Sequence, residues 1–169
     1  MKEKLVLSVL VDNVSGVLQR VASLFSRRGY NISSLTVSET ENPLFSRMTI
    51  EVHTEPENFR QIKRQLIKLE IVKKVSQLTD ESAVSSELLL IKVMASGVEK
   101  KNSLLAFNVK YGARVLDVSL KTVTLEFTGT SETIDEFIDY IEENFGIVEL
   151  ARTGITSLQR GEGSFTENV

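Results

Sequence analysis

One histidine, no cysteine and no cluster of mixed metal-ligating residues leave this 169-residue chain a narrow chemical inventory. Without cysteine there are no disulfides, thiolate ligands or cysteine nucleophiles. His53 ends the stretch "RMTIEVH", where alternation places it with Arg47, Thr49 and Glu51 on a polar strand face. With no second histidine beside it, it reads as a solvated surface residue rather than a general base. The acids of "SETIDEFIDYIEENF" recur at helical spacing and read as a solvated helix face, not a metal site. Arg60, Lys63, Arg64 and Lys68 line one side of another helix, as a solvated face or as a partner-docking patch.

The more informative stretch is "VDNVSGVLQRVASLFSRRGYNI". Between Asn13 and Ser38 there is no Asp or Glu. A helix start is electropositive and usually carries an acid in its first turn. The later helices have Glu55 and Glu57, Glu99, or Glu132 and Asp135 at their starts; this one has Ser15 as the expected N-cap, then Gly16, Val17 and Leu18. Free N–H groups beside a residue without a side chain suit a carboxylate or phosphate. Asn13 adds both a donor and an acceptor. An α-amino acid, with its carboxylate on the amides and its ammonium on Asn13, fits this set better than a phosphate. The same residues also make an ordinary β–α turn. At the far end of the helix stand Asn31 and Ile32. A helix of about 13 residues is roughly 20 Å long, so one small ligand reaches both ends only if two chains contribute, in a two-fold dimer with two equivalent sites.

The elements that hold these residues follow from periodicity. Strands are expected at 4–11, 31–39, 44–53 and 71–78, with helices after Ser15 and over 55–69, giving β-α-β-β-α-β. This is the ferredoxin-like unit, one antiparallel sheet with two helices on one face. The segment 80–86 is small, polar and acidic, and reads as a linker. The order then repeats: strands at 87–96, 113–120, 122–129 and 147–158 (interrupted near Gly154), helices at 99–111 and 130–145. The expected fold class is α+β, two ferredoxin-like βαββαβ domains in tandem, at 1–79 and 87–159, with a frayed polar tail at 160–169. The helix at 99–111 is the weakest element, since Asn102 and Asn108 are indifferent helix formers.

A net charge of −3 gives no reason to expect nucleic acid. RNA-recognition modules share this strand order but stack bases on central-strand aromatics; here only Phe45, at its strand's start, is available. No apolar run approaches the ~20 residues of a membrane span, and the start lacks a signal-peptide pattern. A soluble cytoplasmic protein is expected. Residues 1–80 carry 12 Lys and Arg against 9 Asp and Glu, whereas residues 81–169 carry 8 against 14. That split fits two domains with separate jobs, or two unrelated surfaces.

"SGVLQRVASLFSRRGYNISSLTVSETENPLFSRMTIEV" resembles the N-terminal ACT domain of the regulatory (small) subunit of acetolactate synthase, and "QLIKLEIVKKVSQL" and "VELARTGITSLQRG" fit the same family. The likeness covers about residues 3–162 and is looser in the second half. It implies an ACT domain at 1–79 that pairs into a homodimer with a continuous sheet, and a subunit without an active site of its own. Such a subunit binds and activates the catalytic (large) subunit and confers feedback inhibition by valine. The valine-contacting residues would be Asn13, Gly16 and Val17 of one chain with Asn31 and Ile32 of the other. Thiamine diphosphate, magnesium and FAD would belong to the catalytic partner, with no cofactor on this chain. Asp12 would place a carboxylate near the ligand, for its ammonium or for solvent, and Val17 would add bulk to the side-chain pocket. The other readings are a free-standing amino-acid sensor acting on another protein and, against the residue inventory, an enzyme in its own right.

Overall fold

The computed structural model describes residues 3–167. Two compact units emerge. One holds the residues up to Ser85 together with those from Ile155 onward; the other is Ser86–Gly154.

The first unit runs β1 (Glu3–Asp12), α1 (Val17–Arg27), β2 (Ile32–Glu39), β3 (Phe45–Thr54), α2 (Asn58–Ile67) and β4 (Val72–Leu78). Its antiparallel sheet has the order β2-β3-β1-β4. Period-2 alternation sends Leu7, Val9 and Val11 of β1 and Met48, Ile50 and Val52 of β3 to one face. There they meet Val21 and Phe25 of α1 and Ile62 and Leu66 of α2, all buried. α1 stops where local chemistry favours it: Arg27 lies in the last turn, and Gly29 takes φ 72°, a conformation that favours glycine.

The opposite face of this sheet departs from its sequence pattern. Thr49, expected on a solvated face with His53, is buried, as are its cross-strand partner Ser8 and the neighbouring Leu10. The tail lies against this face. Leu10 is flanked in register by Arg47 and Lys74. The ring of Phe165 lies over both, 5.2 Å from the Arg47 guanidinium and 5.1 Å from the Lys74 ammonium. Phe165 is itself buried. The segment expected to fray is thus anchored by an aromatic residue, and Thr166 Oγ1 donates to Glu41 beside it. The expected final strand is two strands, β8 (Ile147–Arg152) and β9 (Thr156–Gln159), and β9 pairs with β5 (Ala83–Met94). Consequently most of the expected 80–86 linker is ordered: Thr79–Ser82 is a hydrogen-bonded turn, and β5 begins at Ala83.

The second unit repeats the topology with β5, α3 (Val98–Tyr111), β6 (Arg114–Val118), β7 (Thr122–Gly129), α4 (Ser131–Asn144) and β8, in the order β6-β7-β5-β8. Leu89, Ile91, Val93, Val123 and Leu125 face Leu104, Phe137 and Ile141 in its core. Phe107 of α3 stacks on Tyr140 of α4 with ring centroids 3.7 Å apart. Asn108, a poor helix former by propensity, is buried at the end of α3. Its amide donates to Ala113 O at 2.6 Å, and its Oδ1 accepts from Ala113 N at 3.0 Å. Tertiary satisfaction of two backbone groups outweighs the weak propensity. Glu87 on β5 is buried under Arg152, which donates from Nε and Nη2 at 2.8 Å each. Burial works to raise the Glu87 carboxyl, yet the Arg152 hydrogen bonds and charge, helped by Ser131 Oγ, outweigh it and hold the group below the usual carboxylate range.

Candidate functional site

The β1–α1 connection is built from short backbone bonds. Asn13 N–H donates to Leu44 O at 2.8 Å, Val14 N–H to Asp12 O at 3.0 Å, and Val17 N–H to Val14 O at 3.3 Å. The helix starts one residue later than its composition suggests. Gly16, not Ser15, is the N-cap, in the left-handed conformation with φ 81°. A Cβ there would meet nothing within 4 Å. Glycine is therefore favoured here by its backbone angle rather than by crowding. No side chain caps α1 and its first turn has no acid. Ser15, Gly16 and Leu18 are exposed. The contrast with the other helices is narrower than expected: the first turn of α2 also lacks an acid, because Glu57 occupies its N-cap position. Val17, expected to shape a side-chain pocket, turns its side chain into the core. Asp12, expected to meet ligand or solvent, pairs with Lys73 at 2.9 Å.

Asn13 is the best-connected side chain of the connection. Nδ2 donates to Glu39 Oε1 at 2.9 Å and to Pro43 O at 3.0 Å, and Oδ1 accepts from Ser46 Oγ at 3.1 Å. Both of its donors are spent, and one Oδ1 lone pair is left. The acid absent from the local sequence thus stands close by in space: Glu39, the last residue of β2. Sequence reasoning missed it because nothing local links positions 26 apart; the only signal was that "TVSE" ends a strand.

Asn31 is exposed at the start of β2, and Ile32 packs half-buried against the core. The register sets the distance between the two halves of the expected site. Ile32 pairs with Val52, whereas Glu39 pairs with Ser46 and Asp12 with Phe45. The seven steps from Ile32 to Glu39 span roughly 23 Å. The structure gathers Asn13, Gly16 and the Val17 backbone, and within one chain it leaves Asn31 and Ile32 at the opposite end of the strand. β2 is an edge strand, pairing only with β3 among the described residues, and its stretch Ser34–Glu39 keeps unbroken register.

Other candidates are simpler. His53 is exposed, with Nε2 3.3 Å from Glu51 Oε1. Arg60, Arg64 and Lys68 line a shallow groove on α2 with the exposed Ile67, while Lys63 sits over the Phe59 ring. Among the described residues there is no group of three or more potential metal ligands and no helix long and apolar enough to cross a membrane.

Residues 7–74 match the AHAS small subunit-like ACT domain, and residues 86–161 match the small subunit of acetolactate synthase. The chain belongs to the acetolactate synthase small-subunit family. It is 44% identical over 156 residues to the probable acetolactate synthase small subunit of Methanothermobacter thermautotrophicus, covering 92% of each chain. It is 41% identical over 157 residues to the acetolactate synthase isozyme 3 small subunit of Escherichia coli K12, covering 93% of this chain and 96% of that one. The crystal structure of the acetolactate synthase small subunit from Thermotoga maritima matches with a TM-score of 0.85 at 36% identity, over 95% of this chain and 99% of the other. The resemblance read from "RGYNISSLTV" and its flanks is borne out along both units, as is the tandem ferredoxin-like fold of this small-subunit family.

Proposed function

We propose that this chain is the regulatory subunit of an acetolactate synthase, docking on a large catalytic subunit, raising its activity and making it sensitive to valine. In this reading thiamine diphosphate, magnesium and FAD belong to the large subunit. Valine binds between the ACT domains of two copies.

One geometric observation carries the site: among the described residues β2 pairs on one side only, with Asn13 and Glu39 at its end and Asn31 and Ile32 at its start. Two β2 strands paired antiparallel across a two-fold axis set the start of each beside the end of the other. Asn31 and Ile32 of a second copy then approach Asn13 and Gly16 of the first, twice per dimer. The distance that separates the halves within one chain is the distance such pairing closes. The uncapped, exposed start of α1 offers backbone N–H groups to the ligand carboxylate.

Control would be linkage. Valine favours the dimer arrangement in which both halves of its site meet, and the large subunit responds to that arrangement. The effect is bounded by valine's differential affinity for the two arrangements, typically ~1–3 kcal/mol. The test is a valine titration of synthase activity with and without this chain. Activation and valine inhibition that both require the chain support the proposal; a large subunit equally active and equally valine-sensitive alone overturns it.

A further inference from the structure

The hydrogen-bond inventory of Asn13 fixes which way round an amino acid would lie. Glu39 Oε1 and Pro43 O only accept, so the Asn13 amide nitrogen must face them and its oxygen must face Ser46 Oγ. No donor of Asn13 is left for a carboxylate. What it still offers is an acceptor, directly beside an exposed carboxylate. The turn beside the pair is tied by its own bonds: Thr40 N–H donates to Phe45 O at 3.1 Å, Thr40 Oγ1 donates to Asn42 O at 2.9 Å, and Leu44 N–H donates to Asn42 Oδ1 at 3.1 Å. The turn that follows Glu39 and supplies Pro43 O is therefore closed on itself. Nearby acids are engaged elsewhere, Asp12 with Lys73 and Glu41 with Thr166.

We propose that Glu39 is a ligand-binding residue, its carboxylate receiving the ammonium of the bound amino acid together with Asn13 Oδ1. The ligand carboxylate then points to the start of α1. This assignment rests on the amino-acid-binding reading and adds the charge that makes the site select α-amino acids over their uncharged analogues. An ammonium held by one amide oxygen alone gains a single charge-assisted bond; a carboxylate beside it adds a second, stronger one.

Glu39→Gln isolates the charge, because a glutamine oxygen still accepts from Asn13 Nδ2. Calorimetry on the full chain would compare valine with 2-hydroxy-3-methylbutanoate, which replaces the ammonium by a hydroxyl. The wild-type chain is expected to prefer valine. In Glu39→Gln, valine affinity should fall about tenfold while hydroxy-acid affinity changes less than about threefold, so the preference collapses. If both ligands weaken alike, Glu39 only holds Asn13 in place and the proposal is wrong; if neither changes, Glu39 has no part in binding. A wild-type chain that binds neither ligand would instead overturn the amino-acid site itself. Thermal unfolding of the variant, expected to match wild type at this exposed position, checks that the fold is intact.

Discussion

Gly16→Asp places a fixed negative charge where the ligand carboxylate is expected. The residue is exposed, and an added Cβ has open space around it, so no clash confuses the result. Its φ of 81° imposes a backbone cost of about 1–2 kcal/mol on an L-residue, at the low end for Asp and Asn. Gly16→Asn carries that same cost without the charge, so the ratio of the two variants reports electrostatics alone. Two carboxylates about 5 Å apart, at an effective dielectric of about 40 for an exposed site, repel by about 1.7 kcal/mol. That corresponds to roughly 15-fold in Kd. Isothermal titration with valine in low salt is the assay, since screening shrinks the effect as ionic strength rises. Gly16→Asp is expected to bind roughly 15-fold more weakly than Gly16→Asn. Equal affinities would refute the reasoning, because they would mean that no ligand carboxylate approaches the start of α1.

Further perturbations probe the proposed dimer and the two units. Val37→Lys puts a charge on the exposed edge strand β2; sedimentation should show dissociation, with valine binding lost in parallel, and a monomer that keeps full valine affinity would rule out a two-chain site. Phe165→Ala removes a buried ring and both cation–π contacts. It should destabilise the first unit by about 2–3 kcal/mol in urea unfolding, whereas a loss under about 0.5 kcal/mol would mean the tail is not anchored. Arg152→Met strands the buried Glu87 carboxylate and should cost about 3 kcal/mol near neutral pH. Because the folded Glu87 carboxyl titrates below its unfolded value, the pair's contribution is complete above the unfolded carboxylate range, about pH 4.3. It is lost as pH falls through the folded value. The gap between wild type and Arg152→Met should therefore narrow in acid, and a gap constant with pH would contradict the assignment.

Much of the fold could be read residue by residue. Alternation along β1 and helical spacing along α1 account for the core face of Leu7, Val9, Val11, Val21 and Phe25, because both depend on neighbours two to four positions away; the burial of Ser8 and Leu10 on the opposite face of β1 does not follow from them. Gly29 after Arg27 marks the helix stop for the same local reason. The tail misled because Phe165 is one aromatic residue in a polar context; its burial depends on Arg47 and Lys74, distant in sequence and brought together by strand register. Asn108 misled in the opposite direction, since propensity counts nothing for a side chain that satisfies two backbone groups of a buried turn.

At the site, composition alone determined that α1 begins without an acid in its first turn and that Asn13 stands just outside; that Gly16 rather than Ser15 is the N-cap was decided by the folded backbone. The sequence also determined, from helix length, that Asn31 cannot share a small ligand with Asn13 inside one chain. Only the tertiary structure decided that Glu39 supplies the nearby charge, that Asp12 is taken by Lys73, that Val17 belongs to the core, and that Asn13 has an acceptor but no donor to offer. The division has one physical cause. Caps, stops and amphipathic faces are properties of adjacent residues, whereas the partners of a polar side chain are chosen by strand register, which joins residues 26 to 33 positions apart here.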